Sequence, residues 1–309
     1  MKREASRLKR RQKGRINLWC WIFMVPALLL YLLFQGYPIL AGAFYATLDW
    51  SGLSSYAVFV GIDNFKEFMH DPLFFNAVKN TFLYMILTVP MLLSLSLALA
   101  YLFNSIIKKG AAFFRTVFFL PVITTTSIVG IIMMFIFGGT GAWNQFLGMF
   151  GITGINWLGN KTTALFMVAL VGCWKDIGTY MIYWLAALQS VPQDVYEAAK
   201  IDGAGKWRTF SQVVFPMILP ISGVIATLCI ISSMKVFDLV QTMTGGGPFY
   251  VTDVAATFVY RTAYAGSNGM PRLGYASAAA MVFGLIVILL GVAGNTAKVV
   301  FNKKRGEQM

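Results

Sequence analysis

Charge is what this sequence lacks. Only 12% of its 309 residues are Asp, Glu, Lys or Arg, about half the roughly 25% of an ordinary soluble domain. Such a chain has too little charge to cover a water-facing surface. Histidine is nearly absent too: His70 stands alone, so histidine triads and histidine metal sites lack raw material. The three cysteines, Cys20, Cys173 and Cys229, sit in apolar runs without a C-x-x-C pair, which excludes a disulfide scaffold and a zinc site. What fills the chain instead is apolar: 58% hydrophobic residues and a mean hydropathy of +0.68. An all-α integral membrane protein follows.

The gaps between charges set the architecture. Residues 16–48, 80–107, 116–160, 209–234 and 273–297 carry no charge, and 162–193 carries only Lys175 and Asp176. A spanning helix needs about 20 mostly apolar residues. The gaps predict six spans near 18–40, 81–103, 116–137, 164–188, 213–236 and 276–297. The segment 138–160, rich in Gly and Asn, reads as an external loop with short helical pieces. The first span, from Leu18 to Leu40, is longer than the apolar region of a cleaved signal peptide, which favours an uncleaved anchor.

Basic residues outnumber acidic ones, 25 to 12, for a net charge of +13. Eighteen of them fall in the two tails and in loops 104–115 and 189–212, six in the alternate loops. By the positive-inside rule both termini are cytoplasmic. The excess charge is thus a topology signal and argues against nucleic-acid binding. The domain reading is a basic tail at 1–15, a six-helix region at 16–300, and a second cytoplasmic tail at 301–309.

One cytoplasmic loop is longer than a connection requires. From Ser190 to Phe210 it reads as a short helix over 192–202. Ser190 and Gln193 have capping-box spacing, Pro192 suits the first turn and Gly203 the left-handed C-terminal cap. Ala198 and Ala199 leave room for a partner, and Val195, Ala199 and Asp202 make a mixed face suited to docking in a protein groove.

Glu197-Ala198-Ala199, three residues, Gly203, nine residues, then Val213-x-Phe215-Pro216 resembles the EAA loop, here 190–220, of binding-protein-dependent ABC importer permeases. Val213 and Phe215 depart conservatively from the usual Ile and Leu. Asp202-Gly203-Ala204, Phe210, Pro216 and Pro220 resemble the carbohydrate branch, which includes maltose and glycerol-phosphate types. Gly61-x-x-Asn64-Phe65, Arg115-x-x-Phe118-Phe119-Leu120-Pro121, Trp174-x-x-x-Gly178 and Thr244-x-Gly246-Gly247-Pro248 are similar to other pieces of it.

The resemblance implies a type I importer permease fold in a prokaryotic cell membrane, and no enzyme. It implies a second homologous permease, two cytoplasmic ATP-binding subunits that use ATP and magnesium, and an extracellular or periplasmic solute-binding protein. This chain would bind no cofactor. Glu197, Ala198, Ala199, Asp202 and Gly203 would couple to the ATPase. Consistent with that, the Gly-Lys pair Gly205-Lys206 is followed by Trp207, where a phosphate-binding loop needs Ser or Thr.

Polar residues inside spans are costly and face a cavity or another helix. Asp176, Thr179, Tyr180 and Tyr183 fall at i, i+3, i+4 and i+7 on one helix face. A carboxylate, a hydroxyl and two aromatic rings suit a sugar; alternatively Asp176 pairs with a cation for assembly and the tyrosines pack. Lys175 lies about 100° round the helix and need not pair with it. Span five offers Cys229, Ser232 and Ser233, as pathway or as packing residues, then Lys235 and Asp238 as a rim ion pair. By resemblance, sugar contacts fall on these two spans. The reading is a sugar or oligosaccharide importer permease. The rivals are a permease for glycerol phosphate or another small polar solute, a stand-alone secondary transporter, and an intramembrane enzyme.

Overall fold

In a computed structural model, residues 19–107, 109–152, 155–265 and 269–306 are described. The predicted tail at 1–15 lies outside them. Six helices are long and apolar enough to cross a membrane: α1 (Trp19–Tyr45), α3 (Pro72–Ile106), the run Thr126–Gly148, α7 (Ala164–Gln189), α9 (Lys206–Met234) and the Leu273–Gly294 part of α12 (Leu273–Gly306). Between α1 and α3 lie a two-residue antiparallel pair, β1 (Leu48–Asp49) and β2 (Val58–Phe59), and α2 (Asp63–Phe68). The predicted boundary at 300 is not a break, because α12 continues to Gly306.

The described chain divides into two units, one drawn from Met1–Glu67 and Thr262–Met281, the other from Phe68–Arg261 and Val282–Met309. In the first, buried Asn64 donates its amide to the carbonyls of Ala46 (2.9 Å) and Leu48 (2.8 Å), which ties α2 to the end of α1. Arg272 grips Glu67 with both terminal nitrogens, at 2.6 and 2.7 Å.

The second unit is organised around α7, whose apolar window is two-thirds buried (67%). It packs against α3, against α4 (Ala111–Ile123) and against α9. Gly178 permits a close approach to α4. A Cβ there would run into the backbone of Phe118 and Phe119 on α4, so a small residue is required for the two helices to meet. Leu92, Met181, Leu188, Ile218 and Ile225 fill the core where α3, α7 and α9 converge.

Span three is not the single helix predicted over 116–137. It breaks between α4 and α5 (Thr126–Phe137), with Thr124 and Thr125 extended at ψ 139° and 137°. Pro121 supplies no N–H donor, and the Ile123–Thr126 run is entirely β-branched and poor at holding helix. The candidate crossing run Thr126–Gly148 continues past α5 through a turn at 138–141 into a short helix, α6 (Ala142–Gly148), and so takes in part of the segment predicted as an external loop. The remaining elements are α8 (Gln193–Ile201), α10 (Asp238–Met243) and α11 (Ala255–Tyr264).

Candidate functional site

A polar cavity opens in the second unit where α3, α7, α9 and α10 face one another. Its volume is ≈ 150 Å³, and its walls include Tyr84, Thr88, Thr126, Lys175, Asp176, Tyr180, Ser232, Ser233, Lys235 and Asp238. A second cavity of ≈ 250 Å³ shares Asp176, Tyr180 and Ser232 with it and adds Thr179, Tyr183 and Leu228. The predicted face of α7 therefore lines one continuous polar patch, with Ser232, Ser233 and Asp238 opposite. Cys229 is the exception. It is fully buried and outside the lining, beneath Tyr180.

Of the two ionic pairs considered, one forms and the other, expected at the rim, does not. Lys175 and Asp176 do pair, with Nζ 2.9 Å from Oδ1. Neighbouring positions diverge by about 100°, but the lysine stem is long enough to bend its ammonium back to the carboxylate. Nearly all of Lys175 is enclosed, and an enclosed cation needs a counter-charge. Lys235 and Asp238 form no such pair among the described residues. Lys235 ends α9, the chain turns through Phe237 at φ −139°, and Asp238 opens α10, so both charges face the cavity separately.

Tyr84, Thr88 and Leu92 of α3 were missed as lining residues. They recur every four residues on an apolar span, a spacing that marks one helix face, and two of the three carry hydroxyls. Their signal was weak because an uncharged hydroxyl interrupts an apolar run so little.

The other predicted surface lies on α8. The helix spans Gln193–Ile201, with Pro192 as N-cap and Asp202 as C-cap. The predicted capping box does not form, because Ser190 donates instead to the Ala187 carbonyl at 2.7 Å, closing the end of α7. Gly203 does adopt the left-handed conformation, at φ +75°. Gly203 N–H reaches the Lys200 carbonyl at 3.1 Å and Ala204 N–H the Ala199 carbonyl at 3.0 Å, the two bonds of a Schellman cap.

Val195 and Tyr196 pack on the α3–α7–α9 core. Ala199 is buried with them, so it seats the helix and does not face a partner. Asp194, Glu197, Ala198, Ile201, Asp202 and Gly203 face outward. Ile201 is 86% exposed and Trp207 beyond it 73%. Acidic groups beside bare apolar side chains make this a surface built for contact.

The family model for binding-protein-dependent transport system inner membrane components matches residues 72–306. The chain belongs to this family. The permease is 34% identical over 276 residues to the probable ABC transporter permease protein YurN of Bacillus subtilis, covering 88% of this chain and 93% of that one. It is 31% identical over 282 residues to the probable starch degradation products transport system permease protein AmyD of Thermoanaerobacterium thermosulfurigenes, covering 89% and 92%. Its fold matches that of a bacterial ABC transporter involved in the import of the acidic polysaccharide alginate. There the TM-score is 0.79 at 22% identity, with 93% of this chain and 97% of that one covered. The permease is thus a multi-pass membrane protein of the importer fold, and both surfaces described above lie within the matched region.

Proposed function

We propose that the permease forms half of the translocation pore of an ATP-driven importer for a sugar or oligosaccharide. The observation that carries this reading is the cavity wall of Asp176, Thr179, Tyr180, Tyr183 and Ser232, set in an otherwise apolar bundle. Hydroxyls and a carboxylate offer hydrogen bonds to sugar hydroxyls, and the tyrosine rings offer apolar faces to the sugar ring. The starch-product relative supports the same substrate class.

A second homologous permease completes the pore, and an external binding protein delivers the solute. Two cytoplasmic ATP-binding subunits hydrolyse ATP with magnesium, while this chain binds neither. Both termini and α8 lie on the cytoplasmic side. ATPase closure pushes on Glu197, Ala198, Asp202 and Gly203. Because Val195, Tyr196 and Ala199 seat α8 on the core, the push moves α7 and α9 as a rigid body and alternates access to the cavity.

Glu197→Lys and Gly203→Asp test the coupling. In the reconstituted importer, each is expected to retain partial assembly while losing solute-stimulated ATP hydrolysis by about tenfold or more, the effect of a charge mismatch in a contact. Normal stimulated hydrolysis in both variants would sink the reading.

A further inference from the structure

Four charged side chains line the ≈ 150 Å³ cavity: Lys175, Asp176, Lys235 and Asp238. Two are cationic and two anionic, so the wall carries no net charge. Their exposure differs. The Lys175 side chain is only 11% exposed and its ammonium lies against Asp176, whose own side chain is 39% exposed. The buried cation is neutralised where it sits, and the carboxylate that neutralises it also faces the cavity.

We propose that the Lys175–Asp176 pair is a specificity device: it makes the pathway polar but electrically neutral, so that it takes uncharged saccharides and disfavours anionic solutes such as sugar phosphates and uronates. This rests on the reading of the cavity as the solute pathway. Lys175 contributes to Asp176 the hydrogen bond at Oδ1 and leaves Oδ2 to accept from a solute hydroxyl, a role an unpaired carboxylate would combine with attraction of cations. A phosphate or uronate approaching Lys175 meets Asp176 first, and must displace it to reach the ammonium. Without its partner, Lys175 would attract anions into a partly enclosed cavity where screening is weaker than in bulk water. The pair removes that attraction and keeps the hydrogen-bonding capacity.

The test uses a reporter thiol, Ser232→Cys, in the complete importer with Cys20, Cys173 and Cys229 replaced. Its reaction rate is measured with an anionic and a cationic ethyl methanethiosulfonate (sulfonate and trimethylammonium), each normalised to a free thiol. With the native pair, the anion-to-cation rate ratio is expected to stay near that of the free thiol. Asp176→Asn should raise the ratio about tenfold, Lys175→Gln should lower it by a similar factor, and the double variant should return it to the native value. Each single variant is expected to move the ratio in its own direction, so either one keeps the test alive if the other fails to assemble. A thiol that reacts but shows the same ratio in every variant overturns the charge proposal and leaves the pathway reading standing. A thiol unreactive toward both reagents in every nucleotide state overturns the pathway reading, and this proposal falls with it.

Discussion

Asp253 and Glu67 are both carboxylates outside the apolar spans, yet burial and partners push them in opposite directions. Asp253 is fully buried, and burial raises its pKa, although Arg261 at 2.8 Å and Thr257 at 2.7 Å pull it back down. Without Arg261, the buried carboxylate would lose its only cation among the described residues. Arg261→Met should therefore cost roughly 3 kcal/mol, near the lower end for breaking a buried pair, since the Arg261 side chain is still 24% exposed. The sign with pH follows from the raised pKa. The penalty is small at acid pH, where the carboxyl is protonated, and grows as pH rises through the folded pKa. Thermal unfolding of native and variant protein at pH 4 and pH 8 should show the larger gap at pH 8. Glu67 behaves in reverse. The hydrogen bonds from Arg272 hold its carboxyl below the usual range, with burial opposing. Its contribution is complete above the ordinary carboxylate pKa and is lost as pH falls through the lower folded one. Half of the Glu67 side chain is exposed, so the loss is about 0.5 kcal/mol. Protection of the α2 amides against hydrogen exchange, corrected for the intrinsic pH dependence of exchange, should fall slightly on acidification in the native protein and show no such step in Glu67→Gln.

At the scale of elements, what was legible and what was not divides along physical lines. The number of spans, and the place of five of the six, could be read because a missing charge is an all-or-none signal over 20 or so residues. The helix at 193–201 could be read because Gly203 marks its end with a conformation few other residues take. The break at Thr124–Thr125 was hidden, since threonine adds neither charge nor a strong turn signal to an apolar run. The Lys175–Asp176 pair could not be read because helical angles describe where a Cβ points, not where a four-carbon stem can carry an ammonium. Ala199 was taken for a contact residue because composition alone does not tell the seating face of a short helix from its presenting face. The Schellman cap gives α8 a defined end, so Gly203→Ala is expected to cost about 1 kcal/mol locally by forcing a Cβ into the left-handed region. Amide exchange at Ala199–Ala204 should quicken about fivefold, while α7 exchange stays unchanged. A Gly203→Asn variant, which tolerates that conformation better, should recover part of the protection. Equal exchange in all three proteins would show that the cap contributes nothing to the rigidity that the proposed coupling requires.

Each unit encloses polar side chains, Asn64 in the first and Lys175 and Asp253 in the second, while leaving large apolar side chains bare. None of the apolar window of α1 is buried within the chain, against two-thirds of that of α7. Trp21, Phe23, Leu29, Phe34 and Leu40 are bare along α1, which in water would be untenable and in lipid is the stable arrangement. The orientation we propose for the spans rests on where the basic residues fall. Eighteen Lys and Arg fall in the two tails and at 104–115 and 189–212, which the alternation of spans puts on one side, and six, Lys66, Lys79, Lys161, Lys235, Arg261 and Arg272, fall in the segments on the other. Placing the first set outside would move more positive charge across the membrane, which the positive-inside bias disfavours. Single cysteines at Ser54, between α1 and α3, and at Gln193, at the start of α8, separate the two orientations. In intact cells of a cysteine-free background, a membrane-impermeant maleimide should label Ser54→Cys fully and leave Gln193→Cys unlabelled until the membrane is opened. The reverse pattern would put α8 outside, away from any source of ATP, and would remove the coupling mechanism together with the orientation.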